Sequence, residues 1–169
     1  PALLEAFLVG YLGERYLSLA ELWSFPTTLR VVLLENLARL AMRTAALQAA
    51  RDAAHGWFDG PEPQRTIRQL DVLEQRFRRL GVEDAFLLQV DQRQEDLSYE
   101  HSRQLHAWLK VRLQDPVATE ARHQAALTED EQSIRNAITT LRKIDQVNWR
   151  ELFARNNAVM RSTSCAVSR

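Results

Sequence analysis

The side chains able to do chemistry in this sequence are few and widely spaced. Glu120 and His123 stand three residues apart, and so do Asp52 and His55. On a helix that spacing sets a carboxylate and an imidazole on one face. Paired E-x-x-H segments with two further inward glutamates build dinuclear metal sites in helical bundles. Here one pair carries Asp in place of Glu, and His55 falls at the expected end of a helix, with polar neighbours around both pairs. Solvated helix faces account for them better, and no metal or other cofactor is expected. Arg65, Arg68, Arg76, Arg78 and Arg79 would suit phosphate or an acidic partner, but Asp71, Glu74, Glu83 and Asp84 interleave with them. That pattern reads as a mixed-charge solvated face. Three of the four tryptophans, Trp23, Trp108 and Trp149, lie on apolar stripes or beside caps, where the indole usually packs into a core. Trp57 sits with Phe58 in the segment GWFDGPEP, and an exposed aromatic pair there would form a contact surface. Cys165 is the lone cysteine, so neither an internal disulfide nor a cysteine zinc site can form.

The sequence contains no G-x-x-x-x-G-K-[ST], no G-x-G-x-x-G, no G-x-S-x-G and no H-E-x-x-H. Phosphate loops, nucleophile elbows and helix-borne zinc sites are thereby without a signature, and no catalytic residue can be named. Twenty-two basic residues balance 22 acidic ones, which argues against a general nucleic-acid binder. No run approaches the roughly 18 apolar residues that cross a bilayer, so no direct membrane span is expected.

The elements that must position these residues are helices. Only five Gly and five Pro punctuate 169 residues, too few for a turn-rich β fold. Leu4, Phe7, Leu8, Tyr11 and Leu12 predict a helix over 2–15. Ser18 and Glu21 form an S-x-x-E capping box, followed by a short turn. Ser24 and Pro26 then predict a second start, because proline is tolerated in a first helical turn. From 27 to 54 nothing breaks the chain, which gives roughly 40 Å of helix with Leu29, Leu33, Leu37, Leu40 and Leu47 as its main stripe. The segment 56–63 reads as a loop and hinge. Further helices are predicted over 64–80, capped by Gly81, then 82–90, 98–114, 117–144, and from the N-x-x-E cap at Asn148 onward. The expectation is an all-α bundle or irregular array of about six to eight helices, one domain over 1–161, with a frayed tail at 162–169.

Two segments carry a resemblance. Residues 17–41, LSLAELWSFPTTLRVVLLENLARLA, resemble a segment near the start of bacterial cyclic β-1,2-glucan synthases, with Glu21, Trp23, Pro26, Arg30, Glu35, Asn36 and Arg39 at its motif positions. Residues 133–153, SIRNAITTLRKIDQVNWRELF, resemble a later segment of the same family through Ser133, Asn136, Arg142, Trp149 and Phe153. The two occur in the family's order. Asn148 stands where the family has Asp, and the residues after Phe153 depart from the family pattern.

The resemblance implies a non-catalytic helical region of a very large inner-membrane protein that makes cyclic β-1,2-glucan from UDP-glucose. It implies a soluble segment on the cytoplasmic side, whose partners are other domains of the same protein. The D-x-D and Q-x-x-R-W signatures of the transferase core are not found in this chain. The motif residues are expected to cap helices and bond between them. Self-association stays open, as does a stand-alone helical interaction protein or, as an outside case, a helix-bundle metal protein.

Overall fold

Ser18 and Glu21 open the first long helix reciprocally. The Glu21 amide donates to Ser18 Oγ at 3.2 Å, and the Ser18 amide donates to Glu21 Oε2 at 2.7 Å. Two of the four amides orphaned at a helix start are thus satisfied by the sequence itself. Removing the hydroxyl with Ser18→Ala is expected to cost about 1 kcal/mol. Thermal unfolding followed by tryptophan fluorescence would register this as a lowered midpoint, and an unchanged midpoint would mean the cap holds nothing.

The computed structural model describes residues 6–7, 10–11, 18–61, 66–94 and 99–154, leaving aside the side chains of 19, 22 and 99–101. Its helices are α1 (Leu19–Asp59), α2 (Ile67–Arg79), α3 (Glu83–Arg93), α4 (Tyr99–Arg112), α5 (Pro116–Gln146) and a closing turn α6 (149–154). Among the described residues there is no strand, and the protein is all-α. Most of the helix expected over 2–15 and the tail at 162–169 lie outside the described residues.

Pro26 does not start a helix. α1 runs through it as one element. The ring lacks the N–H that would donate to the Leu22 carbonyl. Neighbouring hydroxyls hold the adjoining turns, with Ser24 Oγ donating to the Glu21 carbonyl at 2.8 Å and Thr28 Oγ1 to the Ser24 carbonyl at 3.1 Å. At the other end α1 continues past the expected stop, and 56–59 are helical. A glycine inside a helix costs about 1 kcal/mol. Burying Trp57 and Phe58 contributes roughly 1.5–3 kcal/mol each, so packing outweighs the breaker.

Caps set the remaining boundaries. Thr66 Oγ1 accepts from the Gln69 amide at 3.3 Å and starts α2. Asp115 Oδ1 accepts from the Ala118 amide at 2.9 Å, with Pro116 in the first position of α5, so the D-P pair begins a helix here. Gly81 ends α2 at φ 66°, while the Val82 amide reaches back to the Phe77 carbonyl at 3.0 Å. That left-handed conformation strains a residue bearing a Cβ.

The chain divides into two compact units, 1–37 with 135–169, and 38–134. The second unit holds the larger core. Leu47, Ala50, Ala54, Trp57 and Phe58 come from α1, and Leu70 and Phe77 from α2. α3 contributes Ala85, Phe86, Leu87, Leu88 and Val90, and α4 contributes Leu105, Trp108 and Leu109. Phe77 and Phe86 meet with ring centroids 5.4 Å apart. In the first unit a smaller core forms from Leu152 and Phe153 with Phe25, Val147 and Trp149.

Candidate functional site

Most of the motif residues lie in the first unit, where Trp23, Trp149 and Phe153 meet. Its construction begins at the Ser18 cap, which fixes the phase of α1. On the closing side, Asn148 caps α6, accepting from the Glu151 amide at 3.2 Å while its own amide donates to Glu151 Oε2 at 3.3 Å. The Trp149 indole N–H donates to the Ile144 carbonyl at 3.0 Å, which orients the ring against the end of α5.

These two starts bring six rings into sequence. Trp23 meets Phe153 edge-on at 5.6 Å, Phe153 meets Trp149 at 5.8 Å, and Trp149 meets Phe25 edge-on at 6.3 Å. Phe7 stacks on Phe25 at 6.4 Å and on Tyr11 at 6.0 Å. All lie within the 4.5–7 Å range in which aromatic pairs attract beyond their area burial. Pro26 is buried, whereas Trp23 keeps about half its surface exposed, at 51%. Beside the rings, Arg30 binds Asp145 Oδ1 through Nε at 3.0 Å and Nη2 at 2.9 Å. Both side chains are well exposed, so this pair contributes under about 1 kcal/mol.

The other motif residues are simply placed. Asn36 is half-buried and Glu35 and Arg39 are exposed on α1, while Ser133 is half-buried and Asn136 and Arg142 are exposed on α5. Val31 and Leu34, each 56% exposed, follow Trp23 and Thr27 at spacings of four and three along one face of α1. This face is apolar and outward. The rings and their ion pair can pack and recognise. They present no nucleophile with an adjacent base.

The second unit houses the remaining candidates. Trp57 and Phe58 are not an exposed loop pair. They sit in the last turn of α1 at 5% and 4% exposure, packed edge-on at 5.0 Å, because the helix turns both toward the core. They form no contact surface. His55 Nδ1 lies 3.1 Å from Arg93, which also binds Asp59 at 3.0 Å and covers the Phe58 ring. Asp52 accepts from Gln48 at 2.8 Å. His123 Nε2 lies 3.2 Å from Arg51. Burial, then the Arg51 charge, hold the His123 imidazole below its ordinary value of 6.5, against the opposing pull of Glu120. Among the described residues no three His, Cys, Asp or Glu converge as metal ligands. Arg76 covers the Phe77 ring and Arg78 pairs with Glu74, while Arg68 and Arg79 are exposed on α2. Arg65 and Cys165 lie outside the described residues.

Sequence reasoning did not find the polar cluster on α2 and α4. Asp71 Oδ1 accepts from the Trp108 indole and from Arg112 Nη2, both at 2.7 Å. Glu74, 3% exposed, faces Arg78 and Arg112, and Arg112 covers the Trp108 ring at 4.5 Å. The local signal was the i, i+4 pair Glu74 and Arg78. Nothing local marks Arg112 as their partner.

Compared with known proteins, the chain matches no family model and no solved structure. It is 29% identical over 160 residues to the cyclic beta-(1,2)-glucan synthase NdvB of Rhizobium meliloti (strain 1021). The similarity covers 89% of this chain and 5% of that protein, and it supports relatedness between the two. The chain therefore spans about a twentieth of the length of the curated relative it matches.

Proposed function

We propose that this chain is an accessory helical contact module of a cyclic β-1,2-glucan synthase-like membrane glycosyltransferase. It connects or positions the transferase relative to neighbouring domains on the cytoplasmic side and does no chemistry itself. The observation that carries this is the similarity to NdvB along nearly the whole chain. It is supported by how the motif residues are spent, on a cap, an ion pair and ring contacts. The outward apolar face at Trp23, Val31 and Leu34 suits a helix of a neighbouring domain.

Two measurements test it. Purified chain incubated with UDP-glucose is expected to transfer no glucose, and robust transfer overturns the non-catalytic role. Exchanging the matching stretch of NdvB for this chain is expected to preserve cyclic glucan synthesis, whereas excising that stretch abolishes it. Adding Val31→Asp and Leu34→Asp to the exchanged chain is expected to lower synthesis at least tenfold while leaving the helix content of the isolated chain unchanged. These side chains are exposed, and surface changes cost only about 0.5 kcal/mol of stability. Synthesis that tolerates both the excision and the charged face would end the proposal.

A further inference from the structure

In the second unit, α5 is tied to α1 by a hydrogen bond that only a neutral histidine can make. Arg51 Nη2 lies 3.2 Å from His123 Nε2. A guanidinium has donors and no acceptor, and it keeps its charge throughout the physiological range. The imidazole Nε2 must therefore be the acceptor, with the ring proton on Nδ1. The two side chains share the wall of a cavity of about 150 Å³ with Leu88, Gln89, Gln92 and Glu120. That space is lined by residues of α1, α3 and α5.

We propose that the Arg51–His123 contact is a proton-operated joint which loosens the 116–134 half of α5 from the second unit under mild acid. A proton on Nε2 removes the acceptor and leaves two cations where the hydrogen bond was. The surrounding charges are mixed. From α1, Arg51 and Arg43 oppose the imidazolium; from α3, Asp84 favours it; on α5 itself, Glu120 favours it. Desolvation adds to the opposition and is the largest influence. The native state thus binds this proton less readily than the unfolded chain. The joint's contribution is complete above the ordinary imidazole value of 6.5 and is lost as pH falls below it. This stretch is also held by the Arg43–Asp130 ion pair at 3.2 Å, by the buried Thr119 and by Leu127 packed against the core. Opening is expected in this segment ahead of the rest of the unit.

Amide hydrogen exchange on the full chain, corrected for intrinsic rates, tests the joint between about pH 7.5 and about pH 5.5. Opening of 117–130 is expected to increase several-fold on acidification, in step with the His123 ring titration followed by NMR. His123→Gln retains an acceptor for Arg51 and has no proton to take up, so its opening is expected to be flat across the same range. Arg51→Gln removes the opposing charge and is expected to raise the His123 titration midpoint. Acid-dependent opening that survives in His123→Gln overturns the proposal. So does full protection of 117–130 in the unmodified chain after His123 has titrated, or a midpoint unmoved by Arg51→Gln.

Discussion

Phe86→Ala is expected to cost the second unit about 3–5 kcal/mol, the largest loss of any single truncation in it. The ring is fully buried and meets Phe77 across the α2–α3 contact. α3 has only 11 residues and no side-chain hydrogen bond at its N-cap. A helix that short is marginal alone, so packing must supply its stability. Its sequence neighbours Ala85, Leu87 and Leu88 are buried as well, so truncation opens a cavity inside close-packed core. Val72→Ala on exposed surface serves as the control, with an expected change within about 0.5 kcal/mol. Urea unfolding of both variants measures the contrast. A Phe86→Ala loss below that of Val72→Ala would show that the core lies elsewhere.

The second large effect is electrostatic. Arg112→Ala is expected to destabilise the second unit by about 2–4 kcal/mol. One guanidinium binds Asp71, faces the buried Glu74 and covers Trp108. Its loss leaves Glu74 with Arg78 alone, at the edge of an apolar core. Most of the cost is the buried carboxylate left with one cation in place of two, rather than the bridge itself. A double variant, Arg112→Met with Glu74→Met, is therefore expected to recover much of the stability. Arg112→Lys should fall between, because an ammonium cannot serve two carboxylates in plane while stacking on an indole. Equal losses for the single and double variants would show that the buried charge contributes nothing.

These cases mark where local sequence carries structural information. Ser18, Glu21, Asn148, Glu151 and Gly81 were legible because a cap acts within three to five residues. The apolar spacing of α1, α2 and α4 was legible because a helix repeats every 3.6 residues. Pro26 and Gly56 misled for one reason. Each is a breaker costing about 1–3 kcal/mol, and tertiary burial can exceed that. The Thr66 cap followed a T-x-x-Q pattern that sequence reasoning passed over.

The sequence by itself determined an all-α protein, most of its helix ends, and a resemblance that the similarity to NdvB supports. Only the tertiary structure decided that Trp57 and Phe58 face inward, that Arg30 finds Asp145 across 115 residues, and that Glu74 is buried beside Arg112. Capping and periodicity are interactions between near neighbours, written in order along the chain. Burial and long-range pairing depend on which helices become neighbours, and no short window of residues encodes that choice.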